Sequence, residues 1–249
     1  MHRLVCLGAA GVLSLIGSIA TAGIVTVNGN GNSGFGGTVG GGQLTLNHNG
    51  TTLSGTFSRG AGSLNDAVVL YFDTDLGATG FTSSSTFTDT ADGLRRAISG
   101  RSGGNQTIAN FAAGFRANYA IAFDQNFAGL WALAGGGAHN FIGSAGWTPT
   151  GNNNAASHGF SVNLSAMGIT LPGSEIRFVG TYISTSGYRS NEAFGNISIT
   201  GSTDGSGNPG FNSQITFSNY FSAVPEPTSA LLVAAFGLIA SVRRQRRAG

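Results

Sequence analysis

The chain has 249 residues, of which only 9% are charged and 42 are glycine, and it contains no lysine. Its formal charge of +2 hides a division: from Gly23 to Ser222 seven arginines stand against nine acids, a balance of −2. The working part therefore lacks the clustered cations that nucleic-acid binding requires, and its solubility must rest on Ser, Thr, Asn and backbone.

Residues 1–22 read as a secretory signal peptide and helix. Arg3 opens it, an apolar stretch follows from Leu4 to Ile19, and Ala20 and Ala22 set an A-x-A cut before Gly23. The only cysteine, Cys6, lies inside that stretch, so the mature domain has neither disulfide nor thiol.

After a first strand at Ile24 to Val27, residues 28–42 read NGNGNSGFGGTVGGG, too glycine-rich to offset conformational entropy by apolar burial. They are expected to form a flexible lead-in or a long loop. Gly29, Gly31 and Gly34 formally match G-x-G-x-x-G, but more glycine follows where a dinucleotide site needs a helix.

From Gln43 onward, segments rich in Val, Ile, Phe, Tyr and Thr alternate with Gly, Asn and Ser breakers, which predicts one all-β domain over 23–222. Predicted strands are Gln43 to Asn47, Thr51 to Phe57, Ala67 to Phe72, Phe115 to Phe123, Ala128 to Leu133, Phe160 to Leu164, Ile176 to Ile183, Gly195 to Thr200 and Gln214 to Phe221. Eight or nine strands suggest an antiparallel two-sheet β-sandwich, jelly-roll-like, with Asn49-Gly50 as a hairpin turn. Imperfect alternation in Ile176 to Ile183 suggests cover on both faces.

One helix is expected over Asp89 to Gly100, from its acidic and hydroxyl start, Leu94 and Ile98 four apart, and the closing glycine. A second short turn is expected at Ile108 to Ala113. Both would cover a sheet edge or the end of the sandwich.

Asp73 and Asp75 flank one residue, which on a strand puts both carboxylates on one face as oxygen ligands for Ca²⁺; no other cofactor is indicated. The segments Asp66 to Asp75 and Phe115 to Phe123 resemble DOMON-like and family-nine carbohydrate-binding sandwiches, in which an aromatic strand adjoins one ending in aspartates. Among the aromatic residues, Trp147 beside Thr148-Pro149 is expected to be exposed. With Trp131, Tyr182 and Tyr188 in the same stacking platform, and Asn side chains and Arg189 bonding hydroxyls, it would contact a sugar. His48, His139 and His158 show no metal spacing, and no G-x-S-x-G marks a hydrolase serine. Asn49, Asn105, Asn163 and Asn196 open N-x-S/T triplets.

The chain ends with Val224, Pro225, Glu226 and Pro227, an apolar segment from Thr228 to Val242, and Arg243, Arg244, Arg246 and Arg247. The apolar segment is shorter than the about 20 residues of an ordinary spanning helix, which suits a short transmembrane helix and transient membrane insertion. Residues 224–249 resemble the PEP-CTERM sorting signal. That resemblance implies export machinery and an exosortase as partners, and delivery to the cell envelope, an extracellular matrix or the medium of a Gram-negative-type bacterium. The expected function is that of an envelope or matrix protein, structural or adhesive, without catalysis. An extracellular carbohydrate-binding module, with polysaccharide as partner, is the alternative, and a secreted hydrolase stands third.

Overall fold

In the computed structural model, the described residues are 23–31, 34–171 and 173–224. The signal peptide expected at residues 1–22 and the sorting tail from Pro225 onward lie outside them.

The strands in chain order begin with β1 (Gly23–Asn28), β2 (Gln43–His48), β3 (Thr52–Ser58) and β4 (Ala67–Asp73). Helix α1 (Gly93–Ser99) follows, then β5 (Arg101–Ser102), β6 (Asn105–Gln106), β7 (Ile108–Asn110), β8 (Tyr119–Phe123), β9 (Ala128–Ala132), β10 (Asn140–Ser144) and β11 (Ser157–Asn163). After a 3₁₀ turn at Leu164–Met167 come β12 (Ile176–Ile183), β13 (Arg189–Phe194), β14 (Ile197–Thr200), β15 (Gln214–Phe217) and β16 (Phe221–Ala223).

Apolar patterning decides the layers. In β2 and β3, Leu44, Leu46, Leu53 and Phe57 alternate with polar residues, so this hairpin buries one face. It belongs to a smaller sheet ordered β1-β2-β3-β11. Strand β4 reads AVVLYFD and is buried on both faces, which places it in the middle of a larger sheet ordered β10-β9-β8-β4-β12-β13. Strand β16 pairs with the start of β12, on the edge that β13 uses further along. Consecutive strands stay in one sheet, β1 to β3 and β8 to β10, so the order is that of meanders rather than of a jelly roll.

The two sheets pack as the predicted sandwich. Leu44, Phe57 and Phe160 of the smaller sheet meet Leu70, Phe123, Phe178 and Phe194 of the larger one in a single core. Phe57 lies 5.7 Å from Phe123 and 6.1 Å from Phe194, centroid to centroid. The opposite face of the larger sheet carries Val69, Tyr71, Ala120, Ala122 and Val179, and a second core covers it. Its lid is α1 together with a sheet ordered β14-β15-β7. Helix α1 thus covers a face rather than the predicted edge, because the apolar outer face of β4, β8 and β12 must be removed from water.

Other boundaries move for similar reasons. The predicted turn at Ile108 to Ala113 is instead strand β7, running parallel to β15. Phe115 to Asn118 lead into β8 without joining it, and Gln214 to Phe221 break into β15 and β16. Strands β10 and β13 were missed: the first is almost wholly exposed, and the second, RSNEAF, holds three polar or charged residues that fold inward.

The described residues of the glycine-rich segment, 29–31 and 34–42, form a loop that hydrogen bonds tie to β13. Asn30 exchanges two backbone hydrogen bonds with Ala193, at 2.9 and 3.0 Å. The buried Glu192 carboxylate accepts from the backbone N–H groups of Gly37 (3.1 Å), Val39 (2.7 Å) and Gly40 (2.8 Å). Backbone meets backbone so closely that a Cβ on Gly40 would sit 1.5 Å from the Gly31 carbonyl oxygen, which is why glycine is required.

Candidate functional site

Asp73 and Asp75 do not share a strand face, because β4 ends at Asp73. Asp73 Oδ1 accepts from the N–H groups of Gly77 (2.9 Å) and Asp75 (3.3 Å), and Oδ2 from that of Arg116 (3.2 Å). The Arg177 guanidinium lies 3.9 Å away. Asp75 Oδ2 accepts from the backbone and hydroxyl of Thr79. Donors occupy three of the four carboxylate oxygens, and Asp75 Oδ1 has no hydrogen-bond partner, an arrangement that fits turn capping better than Ca²⁺ ligation. Among the described residues no three His, Cys, Asp or Glu side chains gather as a metal site.

The proposed sugar platform is not assembled. Trp147 is 6% exposed, because Thr148 bridges Gly159 through two backbone hydrogen bonds and draws the segment onto β11. Its ring stacks on His158 at 4.8 Å and packs on Phe123 at 4.6 Å. Arg189 is fully buried beneath the C-terminal end of α1, where its Nη1 donates to Thr181 Oγ1 (2.5 Å). A Cβ on Gly100, the helix's left-handed cap, would lie 2.8 Å from Arg189 Nη2. Carbonyl dipoles at a helix C-terminus favour a cation, and that offsets part of the cost of burying this one. Tyr188 is half-buried, stacked near Phe35 at 6.3 Å, and donates to Asp204 Oδ2 (3.0 Å). Trp131 and Tyr182 lie buried in the two cores, and burial of Trp147 and Arg189 leaves neither of these a face for a ligand.

The three histidines are buried, and burial holds each below its usual pKa, His139 at about 4. His139 forms the one pairing with a hydrolytic look: its Nε2 lies 3.1 Å from Ser99 Oγ. Its Nδ1, however, accepts from the Ala134 N–H (3.1 Å), so in the neutral ring the proton sits on Nε2 and points at the serine. Asp89 bonds the backbone N–H of His139 rather than its ring. This tautomer cannot take a proton from Ser99.

One concavity was not foreseen. A cleft of about 510 Å³ opens where the loop after β4 meets the start of β8 and the end of β9. Phe81 and Tyr119 form apolar walls, and Asp75, Thr79 and Asn118 a polar rim. Asn118 fixes that rim: its Oδ1 accepts from the Thr74 N–H (3.0 Å) and its Nδ2 donates to Thr79 Oγ1 (3.1 Å). Phe81 is pinned by a two-way backbone bridge to Ala117. The Asp-x-Asp end of β4 was the only sequence signal for this place, since the other walls come from segments far along the chain.

Strands β4 and β8 pair antiparallel, but an adjacent pair of strands is common to many sandwiches and does not establish the DOMON-like resemblance. No curated protein and no solved structure matches the chain. At the other end, the fold closes at Ala223, the last residue of β16. Residues 223–247 match the PEP-CTERM protein-sorting motif. The chain thus carries the sorting motif of an exported, envelope-associated protein that an exosortase processes.

Proposed function

We propose that the protein is a non-catalytic structural or adhesive component of the envelope or extracellular matrix, exported through residues 1–22 and sorted through residues 224–249. The match of residues 223–247 to the sorting motif carries this reading. A domain poor in charge and rich in exposed Ser, Thr and Asn suits a hydrated polymer matrix, where strong fields of one sign would be screened or neutralised.

The test is fractionation of the native host with mass spectrometry of both protein ends in envelope, matrix and medium. A form that starts at Gly23, lacks the arginine cluster and sits in envelope or matrix is expected. An intact tail retained in the inner membrane would overturn the reading.

The cleft supports a second reading, an extracellular carbohydrate-binding module. Two aromatic walls and a rim of amide, hydroxyl and carboxylate suit a sugar ring, which presents apolar faces and hydroxyl edges. Purified protein would then bind the host's exopolysaccharide saturably, and Phe81→Ala would weaken binding by about tenfold. Equal binding by Phe81→Ala and wild type would exclude the cleft.

A further inference from the structure

The β2–β3 hairpin turns at Asn49-Gly50-Thr51, and its hydrogen bonds converge on one amide. Asn49 Oδ1 accepts from the Thr52 N–H (2.8 Å), the Thr51 N–H (3.0 Å) and the Thr51 hydroxyl (3.1 Å). Three donors at such distances are the geometry that stabilises a carbonyl oxygen as it gains negative charge. Next to it, the Gly50 N–H donates to His48 Nδ1 at 3.1 Å. Nδ1 is therefore unprotonated and within reach of the one proton that must leave if Gly50 N is to act as a nucleophile. Burial keeps the ring neutral, since it lowers the pKa of His48.

We propose that Asn49 is a self-deamidating residue, with Gly50 N as nucleophile, His48 as its base and the Thr51 and Thr52 donors as an oxyanion site. Gly50 N attacks Asn49 Cγ and passes its proton to His48 Nδ1. The Cγ–Nδ2 bond then breaks, and that nitrogen leaves as ammonia with the proton His48 had taken. The resulting five-membered succinimide is opened by one water. Opening at one carbonyl gives aspartate at position 49; opening at the other gives an isoaspartyl linkage, with one more methylene in the main chain. Overall, asparagine and water become a carboxylic acid and ammonia, with no redox change.

The chain has two other Asn–Gly pairs, Asn28-Gly29 and Asn30-Gly31, and the fold treats them differently. The Gly29 N–H is held by the Gly42 carbonyl (2.9 Å), and Asn28 Oδ1 accepts from the Gln43 side chain. Asn30 Nδ2 is clamped to the Gly195 carbonyl (2.6 Å), and its backbone to Ala193. Neither has an imidazole at its glycine nitrogen. Deamidation is thereby directed to the exposed Asn49 at one end of the smaller sheet, where it adds a negative charge to a domain already at −2.

The experiment incubates the full chain folded and, in parallel, in denaturant, and follows amide-to-acid conversion at residues 28, 30 and 49 by peptide mass spectrometry. In the folded protein Asn49 is expected to convert roughly tenfold or more faster than Asn28 and Asn30, and faster than it does in denaturant. His48→Phe, checked for folding by its thermal melt, is expected to bring the Asn49 rate down to the denatured value. A folded rate at Asn49 equal to or below the denatured one would overturn the proposal, because the turn would then protect the amide. An unchanged rate in folded His48→Phe would remove the histidine from it. The folded-against-denatured comparison stands even if the variant fails to fold.

Discussion

Glu192 ties the loop between β1 and β2 to β13. Its two oxygens take three backbone N–H groups from a loop with little apolar surface of its own. Glu192→Gln keeps the size but replaces one acceptor oxygen with an NH₂ that faces N–H donors. At least one buried donor is left without a partner, and a loss of about 2–3 kcal/mol is expected in urea unfolding, with new protease cleavage between residues 34 and 42. Wild-type stability and an uncut loop would show that the carboxylate is incidental. None of this was legible beforehand, because a glycine run records only that the backbone is free to bend, while the group that fixes it lies some 150 residues away. Trp147 was misread in the same way. Its loop position was correct, but two hydrogen bonds between Thr148 and Gly159 turn the ring inward. Trp147→Ala should therefore cost about 3–5 kcal/mol of stability, as for any large aromatic residue removed from a core.

At the scale of elements, what is encoded locally was read well and what depends on a distant partner was not. Helix α1 shows the first case. Asp92 Oδ1 accepts from the Arg95 N–H (2.8 Å), Gly100 closes the helix in the left-handed region, and Leu94 and Ile98 face the core. Only the start moves, because Asp89 is drawn off to the His139 backbone N–H (2.7 Å) and to Arg95 (3.3 Å). Asp92→Ala should cost about 1 kcal/mol, the usual worth of a cap; no change in the melting temperature would mean that Asp89 can stand in for it. The Asn49-Gly50 turn is equally local and was equally legible. Strands β7 and β13 are the second case. Ile108–Asn110 becomes a strand because β15 lies alongside it, and RSNEAF because its polar side chains find partners inside the fold, Glu192 in the loop and Arg189 beneath α1.

Across the whole molecule, the central strands β4, β8 and β12 of the larger sheet are buried on both faces, and every histidine of the described domain sits in or beside a core. His48 lies at the end of the β2–β3 hairpin, His139 between the β9–β10 connection and α1, and His158 against Trp147. In each case desolvation is the largest cause of the lowered pKa. A group whose folded pKa is depressed contributes stability that is fully present above its unfolded value and is lost as pH falls toward the folded one. For these histidines the loss begins near pH 6.5 and for His139 continues to about 4. That histidine alone is worth roughly 3 kcal/mol over this interval. Glu175 and Asp204 are held below their ordinary values of 4.5 and 3.8, so their stabilising effect disappears only in stronger acid. Asp66, pushed up from 3.8 by burial, has the opposite sign and partly compensates as the medium becomes acidic. The melting temperature should therefore fall steadily from neutral pH toward about pH 4, with His139→Gln showing a shallower slope than wild type. A melting temperature that stays flat until the carboxylates titrate would mean that the histidines are solvated, and that the two cores pack less tightly around them than the hydrogen bonds and ring stacking indicate.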